Sequence, residues 1–271
     1  MRFRDRDAPV TSEGLIFRTY GYDHPKGACF CDVEYAPEPV YKTHDQRAVR
    51  EKGGERYYKF YFDGGLRFVR ERYPQYQLPH HAMNKNLVGI RREQLARVIS
   101  PERRLRELMS RRGDPLTQSV SEVVNMVCDA SGLKPRDFGV FGSLAHGFHH
   151  PQFSDMDLVI YGEEELKELR AALSKIYKGG VLRNEFEDWT ADNPPRHWNF
   201  KHYSKEGYGW HQKRKLIYAE YPSATLGRIV KVEFEPVRKW GEIENEYEKT
   251  LKIENLGRVE AVIEVHSDEE T

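Results

Sequence analysis

An acidic pair opens an apolar run at Asp155-Met156-Asp157-Leu158-Val159-Ile160-Tyr161, and no other stretch of the chain restricts its fold as tightly. Four apolar residues in succession read as a strand covered on both faces. Residues i and i+2 of a strand share a face, so the two carboxylates point the same way, roughly 6.7 Å apart along the backbone. Like charges held that close are costly unless a cation neutralises them, and hard oxygen ligands of this kind suit Mg²⁺ or Mn²⁺. Upstream, Phe138–Phe141 reads as a second strand that runs into Gly142-Ser143, where the chain turns sharply into a short helix. Glycine lets the backbone approach a ligand closely, and free N–H groups at a helix start favour phosphate. The Ser143 hydroxyl adds a further donor. A divalent ion shared with a triphosphate is what phosphoryl transfer requires, because positioning and charge neutralisation supply most of its catalysis.

This order of parts resembles the DNA polymerase β-type nucleotidyltransferase superfamily: an apolar strand, Gly-Ser, a short spacer, then Asp-x-Asp flanked by apolar residues. Gly142, Ser143, Asp155 and Asp157 carry the resemblance, which spans about residues 116–240. It implies a third carboxylate on a later strand beside the first pair. Glu233, in Val230-Lys231-Val232-Glu233-Phe234-Glu235-Pro236, matches that position best, and Glu235 on the same face is the fallback. The family prefers Asp there, so a Glu is a departure from its pattern. The resemblance further implies an NTP substrate, nucleotide binding at Gly142 and Ser143, and one or two Mg²⁺ (or Mn²⁺) ions on Asp155, Asp157 and Glu233. The expected reaction moves a nucleoside monophosphate, for instance from ATP, to a hydroxyl acceptor and releases pyrophosphate. The first 115 residues resemble the front half of an uncharacterised archaeal group of predicted nucleotidyltransferases, a likeness that brings no substrate with it.

The remaining sequence sets the surroundings of that segment. Lys and Arg total 43 and so do Asp and Glu, which excludes a bulk polycation that coats nucleic acid through net charge. Cys29, Cys31 and Cys128 fit neither a disulfide scaffold nor a structural zinc spacing, and reduced thiols in a cytoplasmic protein are expected. No apolar run has the length of a membrane span, and MRFRDRD lacks a signal-peptide hydrophobic stretch.

The expected fold class is α+β (mixed α/β). A β-rich N-terminal domain over 1–115 ends in an Arg-rich helical segment, a nucleotidyltransferase core sheet with flanking helices covers 116–240, and 241–271 forms a Glu-rich helical turn, a hairpin and a frayed acidic tail. The Gly113–Pro115 break marks the first boundary. Short β-prone runs at 14–21 and 29–35 precede an expected hairpin that pairs Tyr57–Phe62 with Leu66–Val69 through Asp63-Gly64-Gly65. The pattern turns helical from Arg91. Ser100 caps a helix with Pro101 at its first position, and a second helix runs from Ser119 to about Ala130 with Gly132 as its stop. Glu163–Lys178 is an amphipathic helix, and Arg228–Phe234 a strand with Ile229, Lys231, Glu233 and Glu235 on one face. A terminal hairpin is expected over 251–265.

RNA is the favoured acceptor. Arg91–Arg112 carries eight arginines against three glutamates, and the planar guanidinium suits phosphate oxygens. Arg196–Tyr203 and Tyr208–Lys215 interleave aromatics with bases, the make-up of a surface that stacks bases and holds phosphates. Lys213, Arg214 and Lys215 are all candidates for holding the triphosphate. A small-molecule or protein acceptor, or a non-catalytic scaffold on the same fold, are the alternatives. His146, His149 and His150 match no zinc pattern and read as loop residues.

Overall fold

The computed structural model describes residues 2–111, 113–190, 204–249, 252–264 and 266. Arg112, Arg196–Tyr203, Leu251, Val265 and the tail Ser267–Thr271, all named above, lie outside the described residues. The elements follow in the order β1 (Ala8–Thr11), β2 (Ile16–Thr19), β3 (Ala28–Pro37), β4 (Val49–Lys52), β5 (Glu55–Lys59), α1 (Gly64–Arg72), β6 (Gln77–His80), β7 (Lys85–Arg91) and β8 (Leu95–Ile99). Then come α2 (Pro101–Met109), α3 (Pro115–Ser131), β9 (Phe138–Val140), α4 (Gly142–His146), β10 (Met156–Tyr161) and α5 (Glu163–Lys178). The series closes with β11 (Arg183–Asn184), α6 (Lys205–Lys215), β12 (Tyr218–Ser223) and β13 (Arg228–Val237). The result is a mixed α+β architecture with two sheets, of eight and five strands.

The first sheet is antiparallel, in the order β4-β5-β3-β2-β1-β8, with β7 paired to β3 and β6 to β7. The second runs β11-β12-β13-β10-β9, with β10 and β13 parallel and the other pairs antiparallel. Its covering helices follow from their sequences. The Asp114 side chain accepts from the Leu116 and Thr117 N–H groups at the start of α3, and Pro115 needs no acceptor. Val120, Val123, Val124 and Val127 repeat with helical period and are all buried, and Gly132 ends the helix at φ 80°. In α5 three glutamates complement the helix dipole, and Leu166, Leu169, Leu173 and Ile176 face the sheet. Both stripes enter one core with Phe138, Val140, Met156, Leu158, Ile160, Val230, Val232 and Phe234.

Three sequence expectations differ from the structure, each for a physical reason. Leu66–Val69 is not a strand but part of α1, because Gly65, Phe68 and Val69 fall at helical spacing and bury together. The hairpin is instead β4–β5, whose Gly53 and Gly54 both take positive φ, as a two-residue hairpin turn demands. The stretch from Arg91 is the end of β7, a 3₁₀ turn at Arg92–Gln94 and then β8, with helix only from Ser100 onward. Leu95, Val98 and Ile99 have helical spacing, yet pairing with β1 (Pro9 opposite Val98, Ala8 opposite Ile99) decides the outcome. Finally, no residue described between 252 and 264 is in a strand, and Leu256, Val259, Val262 and Ile263 are exposed, so the alternation there lacks a partner.

The two sheets meet along one seam. Arg4 lays its guanidinium 3.7 Å from the centre of the Tyr161 ring and pairs with Glu102 at 2.8 Å. Tyr35 of β3 and Tyr57 of β5 pack against Phe148, with ring centres 5.1 and 4.8 Å away. This contact sets α4 against the N-terminal sheet.

Candidate functional site

The parallel ladder between β10 and β13 places Asp157 directly opposite Glu233 and Val159 opposite Glu235. Asp155 stands just before β10, at the mouth of the same sheet edge. Asp155, Asp157 and Glu233 all line one cavity of about 240 Å³, shared with Glu185, Phe186, Tyr208, Gln212, Tyr218 and Lys231. Glu235 does not line it and pairs with Arg6 at 3.2 Å. Arg228, at the start of β13, donates to the Pro151 and Ser154 carbonyls at 3.0 and 2.6 Å, and so fixes the loop that delivers Asp155.

Gly142 sits against the acidic pair. Its φ of +59° is a conformation that L side chains rarely adopt, and a Cβ there would come 2.3 Å from Asp157 Oδ2. The Phe141 N–H donates to the Asp157 carbonyl at 3.0 Å, tying the turn to β10. Ser143 follows in the first turn of α4. The sharp turn at Gly-Ser is therefore built around the carboxylate that comes fourteen residues later.

Electrostatics at this edge are those of crowded carboxylates. Burial raises the Asp157 carboxyl to about 6, with Lys59 opposing the shift and Asp155 and Glu34 adding to it. Glu233 is raised by burial and then by the neighbouring Glu235 and Asp157 charges. Asp155 is also raised by burial, against the pull of Lys231 and Arg228. Lys231 is itself bound to Glu185. Oxygen donors whose ionisation is opposed by burial and by one another's charge are what a hard divalent cation stabilises. The carboxylates line the cavity without closing around one point, and among the described residues no group of three or more His, Cys, Asp or Glu side chains stands ready to hold a metal ion.

Residues 120–253 match the family model of the nucleotidyltransferase domain. This part of the chain belongs to the polymerase β-type nucleotidyltransferase superfamily. Over 262 residues the chain is 26% identical to the uncharacterized protein MJ1086 of Methanocaldococcus jannaschii, across 95% of this chain and 74% of that one. The likeness to this archaeal protein therefore extends beyond the nucleotidyltransferase domain into the first sheet. No solved structure matches the chain.

Other residues singled out in the sequence lie away from this cavity. On α6, Lys213 pairs with Glu187 at 2.7 Å, the Arg214 guanidinium stacks 4.2 Å from the Trp210 ring centre, and the Lys215 ammonium lies 5.8 Å from that of Tyr218. The cavity-lining residues of α6 are Tyr208 and Gln212 instead. Cys29 and Cys31 are buried in β3. His149 holds Asp114 at 2.7 Å, and His150 stacks on Phe153 in the loop. His146 is not a loop residue: it ends α4 and is buried against Tyr35 and Phe148. Sequence periodicity could have marked Lys231, which shares a face with Glu233. Nothing in the sequence signals Glu185, whose approach depends on how β11 is laid beside β12.

The burial of His146 has a consequence for stability. Burial, then the cations Lys52, Arg104, Arg97 and Lys59, hold its imidazole neutral, down to about 3. An unfolded histidine protonates near pH 6.5. As pH falls through that value the unfolded chain gains a proton that the native one refuses, so stability present above about pH 6.5 is lost progressively toward pH 3. His24, lowered by burial to about 4, acts in the same direction. The His146→Gln protein should therefore show a shallower fall of Tm between pH 6.5 and 4 than the wild type. Parallel Tm curves would show that His146 has no part in the acid limb.

Proposed function

We propose that the chain transfers a nucleoside monophosphate from an NTP to a hydroxyl acceptor, releasing pyrophosphate, with Asp155, Asp157 and Glu233 as its catalytic carboxylates. The observation that carries this reading is the shared cavity edge, where the β10–β13 register sets Glu233 beside Asp157 under the Gly142-Ser143 turn. Nucleotidyltransferase domains generally use divalent metals, and the all-oxygen donor set suits Mg²⁺ or Mn²⁺. When bound, such an ion neutralises triphosphate charge and lowers the pKa of the attacking hydroxyl. Asp155, Asp157 and Glu233 would hold it, while Gly142 and Ser143 receive the β- and γ-phosphates through backbone N–H groups and the hydroxyl.

RNA is the favoured acceptor within this reading, on the strength of the arginines of 91–112 and the aromatics interleaved with bases over 196–215. The test offers each α-labelled NTP, with Mg²⁺ or Mn²⁺, to total RNA, DNA, the protein itself and a metabolite extract. Label in RNA, absent with Asp155→Asn, is the expected result. Label in another fraction would keep the transfer and replace the acceptor. RNA binding without label anywhere would favour the scaffold.

The raised carboxyls predict a pH limb. Asp157 and Glu233 must lose their protons before they attract a cation, so transfer should climb between about pH 5.5 and 7.5 and then level off. Raising Mn²⁺ should move the midpoint to lower pH, because a bound cation favours the ionised form. A midpoint that ignores metal concentration would uncouple these groups from the metal.

A further inference from the structure

The β4–β5 hairpin of the N-terminal sheet carries a row of cations beside α4 that, among the described residues, close no ion pair with a carboxylate. Across its ladder Arg50 stands opposite Tyr57 and Lys52 opposite Glu55. By strand alternation Arg50, Lys52, Tyr57 and Lys59 share one face, with Glu55 at its turn end as the single acid among three cations. That face looks onto the nucleotidyltransferase domain, since Tyr57 and Tyr35, the latter opposite Lys59 on β3, pack against Phe148 just after α4. Lys52 is stretched across the end of α4. Its ammonium donates to the His146 carbonyl at 2.7 Å, and its Cε lies 3.3 Å from where a Cβ on Gly147 would stand.

Arg97 shares a face of β8 with Ile99, which packs in one cluster with Tyr57 and Phe148, and Arg104 follows on α2; both repel Lys52. Lys59 stands opposite Tyr35, whose ring centre lies 5.2 Å from that of His146, so it faces α4 from the same side as Lys52. In a chain with equal numbers of acids and bases, cations are expected to find partners, and Arg104 does so with Glu107. Among the described residues, Arg50, Lys52, Lys59 and Arg97 form no ion pair with any carboxylate: Arg50 and Lys52 donate to backbone carbonyls, and Lys59 reaches only the Tyr61 ring. Cations kept together with no ion pair, Lys52 among them repelled by Arg97 and Arg104, are what an anion of several charges would stabilise.

We infer that the β4–β5 hairpin, through Lys52 and Lys59 together with Arg97, is a phosphate-binding arm of the catalytic site, contributed by the N-terminal sheet. The chemistry fits a chain of phosphates. Two sources supply one: the triphosphate of the nucleotide and the phosphodiester backbone of a nucleic-acid acceptor. The inference rests on the proposed transfer reaction only for these two names.

Binding of inorganic tripolyphosphate and, separately, of a single-stranded RNA oligonucleotide tests it by direct titration without metal. The wild type is compared with Lys52→Ala, Lys59→Ala and Arg97→Gln, and with Lys26→Ala, an exposed turn lysine, as control. The expected result is a loss of about tenfold in affinity for at least one probe in each of the three variants, with Lys26→Ala unchanged and melting temperatures within a few degrees. Loss confined to tripolyphosphate assigns the arm to the nucleotide. Loss confined to RNA, with a shallower salt dependence, assigns it to the acceptor backbone. Wild-type affinity for both probes in all three variants, or no binding of either probe by the wild type, overturns the inference. Transfer need not occur for this reading to be made: variants that lose binding in a protein that never transfers label would retain the arm and discard the reaction.

Discussion

Asp157→Asn should reduce nucleotide incorporation by on the order of 10³-fold or more while leaving the protein as stable as the wild type or slightly more so. A loss of that size is about 4 kcal/mol of transition-state stabilisation. It is the scale expected when a group that holds a cation on the reacting phosphates loses its charge but keeps its shape. The stability side follows from the same residue. Asp157 is held in a crowd with Asp155, Glu34 and Glu233, and burial makes its ionised form expensive, as its rise to about 6 reflects. A neutral amide of equal size removes that burden at neutral pH, so Tm should hold or rise by roughly 1–3 °C. Loss of activity together with a fall in Tm of many degrees would mean that Asp157 serves the fold and not the chemistry. Retained incorporation would remove the carboxylate from the reaction altogether.

How much of this site could be read before any coordinates depended on whether its geometry was local. Asp155, Asp157 and the Gly142-Ser143 turn announce themselves because strand alternation and turn chemistry act over a few residues. The helices Pro115–Ser131 and Glu163–Lys178 were legible for the same reason, through the valine and leucine stripes that fill one core. Choosing between Glu233 and Glu235 was not a local question. Both lie on one face of β13, and they differ in surroundings that only the folded chain supplies: the register sets Glu233 opposite Asp157, and Arg6 is drawn onto Glu235. The first sheet was harder still. Leu95, Val98 and Ile99 carry a helical spacing that pairing with β1 overrides, and Phe68 and Val69 look strand-like until Gly65 is seen to share their buried side. The cations of the β4–β5 hairpin escaped sequence reading entirely. Lys52 and Lys59 stand some ninety residues from His146, and nothing short of the packed seam brings them beside it.

Gly142→Ala is expected to be the most damaging single-methyl change at the site, and it can be dissected. Two penalties add at this position. A φ of +59° is unfavourable for alanine whatever surrounds it, at about 1 kcal/mol, and the new Cβ would meet Asp157 Oδ2 at 2.3 Å, a separation no packed structure retains. The carboxylate cannot retreat freely, because the Phe141 N–H bond to the Asp157 carbonyl fixes its backbone and Glu233 stands opposite. We expect a loss of about 2–4 kcal/mol, read by chemical denaturation, and incorporation too low to measure. A double-mutant cycle with Asp157→Ala separates the terms. With the carboxylate gone the steric part vanishes and only the backbone part is left, so Gly142→Ala should cost about 1 kcal/mol in that background. Equal costs in both backgrounds would show that the glycine is demanded by its backbone conformation alone, and the turn would then be a hinge of the strand and not a seat shaped around the catalytic carboxylate. A cost that shrinks as expected ties the Gly-Ser turn and the Asp-x-Asp strand into one unit, in which Gly142 and Asp157 are positioned by contact with each other.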